Sequence, residues 1–124
     1  MIDSGRFYDT CSLLLAGESL FTKNEKFYIS SISFNELERI KSSTNKDADV
    51  KYSARLLLHL FASHPENYEV VVHHKTYEKQ FEQEGFDITD DIRILSDALQ
   101  APCAIFVTND LALKHIALTK LLPE

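Results

Sequence analysis

The sequence predicts an α/β fold, a three-layer sandwich in which helices flank a central parallel sheet. Apolar runs of strand length alternate along the chain with segments of helical period, which is typical of a parallel sheet covered by helices. The strand candidates show little polar alternation, as expected for strands buried on both faces. A length of 124 residues suits one domain that spans residues 1–124.

The first predicted elements are a strand, a helix and a second strand. Residues 6–8 form a short strand candidate. Leucines in the segment 11–21 give it a wide apolar helical face, although Gly17 favours a short helix. Residues 26–32 are rich in aromatic and β-branched side chains, which predicts the second strand.

Two helices and a third strand come next. Ser33 opens a helix that breaks at 42–45. A longer amphipathic helix runs from about residue 49 to residue 63, because Val50, Ala54, Leu57 and similar residues follow the helical period. The apolar run 68–72 predicts the third strand.

The last third of the chain predicts three helices around a strand that we expect at the centre of the sheet. The mostly polar segment 76–84 predicts a loose, exposed helix closed by Gly85. Residues 89–99 follow the helical period, and the apolar run 105–107 predicts the central strand. A final helix begins at Asp110, where the period changes from strand to helix, and ends near residue 120.

Composition bounds the function. The net charge is −6, from 13 Lys and Arg against 19 Asp and Glu, which argues against a plain nucleic-acid-binding module. The net charge is compatible with an enzyme whose acidic site is neutralised by cations. We expect no membrane contact, because there is no apolar run long enough to span a bilayer and no secretory leader. Cys11 and Cys103 lie in apolar segments and predict buried thiols in a reducing cytoplasm.

Acidic residues recur where the predicted strands end. Asp9 follows the first strand, Glu36 lies early in the helix after the second, and Asp110 follows the strand at 105–107. Asp91 lies in the first turn of the helix that leads into that strand. Each acid alone has a capping explanation, and Ser33 with Glu36 fits a capping box. Capping does not require four carboxylates at one edge of a sheet, so we expect these four to converge.

Converging carboxylates predict a metal-dependent reaction. They repel one another and raise one another's pKa unless cations hold them together. Oxygen ligands without a cysteine cluster suit Mg²⁺ or Mn²⁺. Paired ions about 4 Å apart activate water and stabilise a phosphoryl leaving group. The residues therefore indicate phosphodiester hydrolysis.

The third acid has alternatives. Helical spacing places Asp91 with Leu95 and Ala98 on the packed side of its helix, and places Asp90 and Asp97 on another, wetter face. Any of Asp90, Asp91 and Asp97 could serve as the third acid.

Each of the four acids lies in a short sequence motif. The motifs are Phe7-Tyr8-Asp9-Thr10-Cys11-Ser12-Leu13-Leu14, Ile32-Ser33-Phe34-Asn35-Glu36-Leu37, Asp91-Ile92-Arg93-Ile94-Leu95-Ser96-Asp97-Ala98 and Val107-Thr108-Asn109-Asp110. Together they resemble the PIN domain family, a metal-dependent ribonuclease fold. Their order and spacing over nearly the whole chain carry the resemblance. The sequence around Asp91 and Asp110 is most similar to that of PIN domains of PhoH-type proteins.

The resemblance implies a sheet of four to five strands and a Mg²⁺- or Mn²⁺-dependent endoribonuclease, with a toxin-like role among the options. Asp9, Glu36, Asp91 and Asp110 would be catalytic and would hold the metal. Thr108, with Thr10 or Ser12, would orient the carboxylates and the attacking water. The implied partners are an RNA substrate, an antitoxin-like protein and a second copy of the chain.

RNA phosphates also need positive side chains away from the acids. The densest basic stretch begins near Glu36 and contains Arg39, Lys41, Lys46, Lys51 and Arg55. A solvated face balanced by neighbouring acids is an equally good explanation. The five histidines form no ligand pattern.

Two rival functions stay open. One is a PIN fold that has lost catalysis and serves as a binding scaffold. The other is a receiver-type phosphoacceptor domain, which ranks lower because the strand at 68–72 is followed by histidines instead of an aspartate. Sequence alone does not identify the RNA target or the oligomeric state.

Overall fold

The sheet has four parallel strands in the part of the chain that the computed structural model describes, residues 3–22, 25–101 and 103–121. The strands are β1 (Asp3–Tyr8), β2 (Phe27–Ser30), β3 (Tyr68–Val71) and β4 (Cys103–Val107). Their order in the sheet is β3-β2-β1-β4, and every neighbouring pair is parallel. The predicted parallel sheet is therefore confirmed.

Helices cover both faces of the sheet. The α-helices are α1 (Thr10–Ala16), α2 (Ser31–Ser42), α3 (Ala48–Ser63), α4 (Lys79–Gln83), α5 (Asp90–Gln100) and α6 (Leu111–Leu121). Short 3₁₀ turns lie at Gly17–Phe21, Pro65–Asn67 and Lys75–Glu78. No helix in the described ranges is long and apolar enough to cross a membrane.

Side-chain alternation along the inner strands separates the two apolar layers. Tyr8 and Ile29 lie on one face and pack in a core with residues of α1, α2 and α3. Phe7 and Tyr28 lie on the other face, in a cluster with Ile94 of α5. These strands are apolar on both faces because helices cover each face, and this arrangement is the predicted three-layer sandwich.

Two glycines mark helix ends by their backbone angles. Gly17 has φ of 55° and ends α1 at Ala16, which confirms the short helix that its position predicts. Gly85 has φ of 87° and follows α4. Both angles lie in the region that disfavours side chains with a Cβ atom.

The expectation of a central strand at 105–107 is wrong. β4 pairs with β1 alone among the described strands and lies at the edge of the four-stranded sheet. Ile105 is 42% exposed, so this strand is open on part of its surface despite its apolar composition. Composition reports how apolar a strand is, but the position in a sheet depends on pairing with distant segments.

The predicted boundary between β2 and α2 is two residues late. Ser30 is the N-cap of α2, since its Oγ accepts a hydrogen bond of 2.9 Å from the backbone N–H of Ile32. The predicted capping box of Ser33 and Glu36 is therefore absent. Both residues lie inside the helix, where their side chains are available for contacts with α1.

The segment predicted as a loose, exposed helix at 76–84 is anchored to the core. It divides into a 3₁₀ turn and α4, and Glu78 and Phe81 within it are buried. Phe81 packs with Ile92 and Leu95 of α5. One apolar ring therefore fixes a segment whose overall composition is polar.

Candidate active site

Asp9 lies where β1 ends, at the carboxyl edge of the sheet. Its backbone N–H donates to the carbonyl oxygen of Val107 at 3.1 Å, which links the ends of β1 and β4. Asp9 caps α1, because its Oδ1 accepts from the backbone N–H of Ser12 at 2.9 Å. Its Oδ2 accepts a hydrogen bond from the hydroxyl of Thr108. Asp9 is 4% exposed, and each oxygen of its carboxylate accepts a hydrogen bond.

Glu36 is held by a hydroxyl pair between α1 and α2. Thr10 Oγ1 is hydrogen-bonded to the Glu36 carboxylate and lies 2.9 Å from Ser33 Oγ. A hydroxyl has one proton, so Thr10 donates to Glu36 and accepts from Ser33. The N-terminal part of α1 therefore orients the acid of α2. The start of α2 at Ser31 is what brings Ser33 and Glu36 to this contact.

Asp110 and Asp91 complete the acidic group. Asp110 Oδ1 accepts from the backbone N–H of Leu113 at 3.1 Å at the start of α6, and the Asp110 N–H donates to Thr108 Oγ1 at 3.1 Å. Thr108 therefore contacts both Asp9 and Asp110. Asp91 lies in the first turn of α5.

All four acids line one cavity of about 470 Å³, which we call the acidic pocket. The structure places in its lining Asp9, Thr10, Cys11, Leu14, Glu36, Ile40, Lys46, Val50, Asp91, Asn109 and Asp110. Besides the four acids, the lining includes the apolar side chains of Leu14, Ile40 and Val50, which come from α1, α2 and α3. Lys46 is the one basic residue among the described lining residues.

The charges of these acids act on one another. Burial raises the pKa of Asp91, and the charges of Asp110, Asp9 and Asp90 raise it further. Burial also raises the pKa of Glu36; its hydrogen bond with Thr10 opposes that shift, and the charges of Asp90 and Asp91 add to it. None of the four pocket acids has an ion pair with a described basic side chain. The pocket therefore holds negative charge that an added cation would neutralise.

The sequence profile of the PIN domain family matches residues 7–123. The chain belongs to the PIN domain family. The solved structure of VapBC2 from Rickettsia felis bound to a DNA fragment from its promoter is similar in fold, with a TM-score of 0.56 and 22% identity over 90% of this chain and 92% of that one. None of the curated proteins matches this sequence significantly. The comparisons do not bear on the likeness to PhoH-type proteins, which stays a prediction.

The donor chemistry of this PIN domain fits a hard divalent cation. The four acids offer oxygen ligands, which Mg²⁺ and Mn²⁺ prefer, and Asp9 is already oriented by Ser12 and Thr108. As the side chains stand, no group of three or more His, Cys, Asp or Glu in the described residues is arranged to hold a metal ion. Asp9, Glu36, Asp91 and Asp110 are the side chains that would hold such a cation.

The two alternative third acids of the PIN motif lie outside the acidic pocket. Asp90 forms ion pairs with Arg39 at 3.0 Å and with Arg93 at 2.9 Å. Asp97 is fully buried, so the expectation that it lies on a wetter face is wrong. α5 is enclosed by the sheet and by neighbouring helices, and its buried face is therefore wider than one helical stripe. Asp91 is exposed and lines the acidic pocket, so the expectation that it points along the packed side of its helix is also wrong.

Sequence patterns missed a buried charged cluster around His73, which follows β3. His73 Nδ1 lies 2.8 Å from Asp97 Oδ1, and Nε2 is hydrogen-bonded to Glu78. Asp97 also accepts from Ser30 Oγ at 2.6 Å, and Arg93 Nε donates to Glu78 at 3.3 Å. The protonated ring donates from both nitrogens, so it satisfies both of these carboxylates, whereas a neutral ring donates from one. The two carboxylates are 24 and 5 residues from His73, so no local motif signals the cluster.

The remaining hydroxyl and thiol of the motif Asp9-Thr10-Cys11-Ser12 differ in accessibility. Ser12 Oγ is buried and has no hydrogen-bond partner in the described residues, although the Ser12 backbone N–H holds Asp9. Cys11 is exposed and lines the acidic pocket, so the prediction of a buried thiol is wrong for it. Burial of its sulfur and the charge of Asp9 raise the pKa of Cys11, which keeps the thiol protonated. The side chain of Cys103 lies outside what the structure describes.

The predicted basic stretch does not form one uniform surface. Arg39 is paired with Asp90, and Lys41 with Glu38 at 3.2 Å. Lys46 and Arg55 are exposed, and Lys51 is half-buried. Of the five basic residues, Lys46 is the one that lines the acidic pocket.

Proposed function

We propose that this PIN domain is a Mg²⁺- or Mn²⁺-dependent endoribonuclease that hydrolyses RNA phosphodiester bonds. The observation that carries the proposal is the convergence of Asp9, Glu36, Asp91 and Asp110 on one pocket. Membership of the PIN family supports a nuclease. Burial and neighbouring acidic charges raise the pKa of Glu36 and of Asp91, which supports a need for cations.

The residues of the chain would prepare the site before substrate arrives. Thr108 and the N–H of Ser12 fix both oxygens of Asp9, and Thr10 fixes Glu36. Held carboxylates lose little freedom on binding a cation, so Asp9 and Glu36 would form the preorganised part of the ligand set. Asp91 and Asp110 are exposed, and their carboxylates would supply further oxygen ligands.

A bound cation would supply the chemistry that carboxylates cannot, namely activation of water for attack on phosphorus and stabilisation of the departing 3′ oxygen. The four acids would hold the cation. Thr108, which contacts Asp9 and precedes Asp110, would set their spacing. Basic side chains would then bind phosphates that flank the cleaved bond, and the candidates remain Arg39, Lys41, Lys46, Lys51 and Arg55.

The proposed partners are RNA, an antitoxin-like protein and a second copy of the chain, in the cytoplasm. The fold similarity to VapBC2 favours the antitoxin-like partner, and with it a toxin-like role. Measurement of the mass in solution, alone and with the product of a neighbouring small gene, tests both protein partners. A monomer that binds no such product would remove the toxin-like role and leave the nuclease proposal untouched.

Cleavage of a labelled RNA in the presence of Mn²⁺ tests the proposed activity. Asp9→Asn and Asp91→Asn should each lower kcat by at least about 100-fold, because each removes a charged oxygen from the set that holds the cation. Asp49→Asn is the matched control, since Asp49 is an exposed aspartate at the start of α3 outside the acidic pocket. The control should cleave at the wild-type rate.

An inactive PIN-fold scaffold predicts a different result. The wild type would then bind RNA without cleaving it in Mg²⁺ or Mn²⁺. The absence of three ligands already placed for a metal in the described residues is the observation that favours this alternative. RNA binding without cleavage at millimolar Mn²⁺ would therefore replace the nuclease by the scaffold.

A further inference from the structure

Three cavities adjoin one another along the carboxyl edge of the sheet. The acidic pocket shares Glu36, Ile40 and Lys46 with a neighbouring cavity of about 350 Å³. It shares Asp91 and Asp110 with another of about 270 Å³. The two neighbours have no described lining residue in common, so each opens onto a different part of the acidic pocket. Together the three form a groove, and the acidic pocket lies between its two ends.

The first neighbour, which we call the basic pocket, contains a lysine that has no ion pair with a described side chain. Its described lining is Glu36, Arg39, Ile40, Ser43, Lys46 and Asp90. Arg39 is committed to Asp90 by an ion pair of 3.0 Å. Lys46 is exposed and has no ion pair with any described side chain, and it lies on the boundary with the acidic pocket. Its ammonium group is therefore available to a phosphate next to the acids.

The second neighbour, which we call the apolar pocket, has the opposite chemistry. Its described lining is Phe86, Asp87, Thr89, Asp91, Ile92, Asp110, Ala112, Leu113 and Ile116. It contains an aromatic ring and aliphatic side chains but no described basic residue, and its carboxylates would repel a phosphate. An uncharged flat group such as a nucleobase suits this lining, because bases pack on aromatic and apolar side chains.

We propose that RNA lies along this groove in one direction, with a phosphate beside the cleaved bond held by Lys46 and a base on the other side seated in the apolar pocket. The inference rests on the proposed nuclease function and assigns its two flanking subsites. Lys46 acts as a positioning residue. The apolar pocket contributes to substrate preference, because its walls contact a base instead of the backbone.

Steady-state cleavage kinetics in Mn²⁺ test the role of Lys46 in the basic pocket. Lys46→Gln should raise KM several-fold with kcat within about twofold of wild type, because the chemistry belongs to the acids. It should also reduce the slope of log(kcat/KM) against log[salt] by about 0.7, the value for one lost phosphate contact on a single strand. Lys79→Gln is the matched control, since Lys79 is exposed on α4 but lines none of the three cavities.

A substitution that fills the apolar pocket tests whether this pocket binds a base. Ala112 is an exposed helical residue that lines this pocket, so Ala112→Leu occupies the space without removing core atoms. It should raise KM by roughly fivefold or more and leave the salt slope unchanged, since base packing involves no phosphate. Ala112→Ser, which leaves the space open, should behave as wild type. Melting temperatures of both variants check the fold.

A substrate with one abasic nucleotide distinguishes a base subsite from a merely sensitive helix. After the cleaved bond is mapped, an abasic nucleotide at one flanking position should raise KM for the wild type but not for Ala112→Leu. Equal abasic effects in both proteins, or wild-type kinetics for Ala112→Leu and Lys46→Gln, would overturn the groove assignment while cleavage itself persists. Failure of the wild type to cleave any RNA would instead remove the proposed function.

Discussion

Asp110 combines two roles that make opposite demands on its charge. Its Oδ1 caps α6 through the N–H of Leu113, and its charge raises the pKa of Asp91 across the acidic pocket. Asparagine caps a helix about as well as aspartate does but carries no charge. The residue therefore allows the repulsion to be removed while the cap is kept.

Asp110→Asn should be more stable than wild type when metal is removed by a chelator. Relief of one exposed like-charge contact is worth about 0.2–1 kcal/mol, or roughly 1–4 °C in melting temperature for a chain of this size. Thermal unfolding followed by circular dichroism measures the difference. Asp49→Asn should bring no such gain, because Asp49 does not line the acidic pocket. A lower melting temperature for Asp110→Asn would show that repulsion in the pocket is negligible.

The positions of the acids at strand ends could be predicted from the local sequence, but the contacts of these acids could not. Asp9 and Asp110 follow apolar runs, so their position at the sheet edge follows from local pattern alone. The bond from Thr108 to Asp9 joins residues 99 apart, and that from Ser30 to Asp97 joins residues 67 apart. Such contacts depend on how helices pack, which a periodicity does not report.

At the scale of elements, the cluster around His73 ties three segments together. His73 follows β3, Glu78 ends a 3₁₀ turn, and Asp97 lies in α5. Burial lowers the pKa of His73, but its hydrogen bonds to Glu78 and Asp97 raise it more, so the pKa lies above its ordinary 6.5. The positive ring compensates two buried carboxylates and holds the edge of the sheet against α5.

Because of this cluster, the free energy of unfolding should fall as pH rises above 6.5. A histidine whose pKa is raised on folding contributes stability that is complete below its ordinary pKa of 6.5 and is lost as pH rises through the raised value. His73→Gln should lose about 3 kcal/mol near pH 6, since it leaves a buried charge uncompensated. It should also lose this part of the pH dependence.

Urea unfolding between pH 5 and pH 9 measures the effect of His73→Gln. His59→Gln is the control, because His59 is exposed on α3 and lies outside the cluster. The control should follow the wild-type curve at every pH. Parallel curves for wild type and His73→Gln would exclude the histidine as the titrating group.

The sequence predicts the order of the strands and helices. It does not predict the position of β4 in the sheet or the residue at which α2 begins. The alternation of strand and helix predicted every strand, because burial on both faces leaves an apolar run. The same run made β4 look central, although it pairs with β1 alone among the described strands. The start of α2 was misplaced because Ser30, Ser31 and Ser33 all cap helices well, and the contact of Ser30 with Asp97 is not local.

At the scale of the whole molecule, the proposed function requires a chain with a net charge of −6 to bind a polyanion. Four of the acids line the acidic pocket, where cations would neutralise them. Lys46 adds a positive charge at the boundary of that pocket. RNA binding should therefore depend on divalent cations more steeply than binding by a basic surface would.

The binding of Mn²⁺ to the four acids is the central claim, and thermal unfolding against Mn²⁺ concentration tests it most directly. The wild-type melting temperature should rise with concentration, by an amount equivalent to about 2.7 kcal/mol when Mn²⁺ is at 100 times its dissociation constant. Asp9→Asn and Glu36→Gln should lose most of this gain, and Asp49→Asn should retain it. A wild-type melting temperature that does not change up to millimolar Mn²⁺, or an equal gain in all variants, would contradict the account.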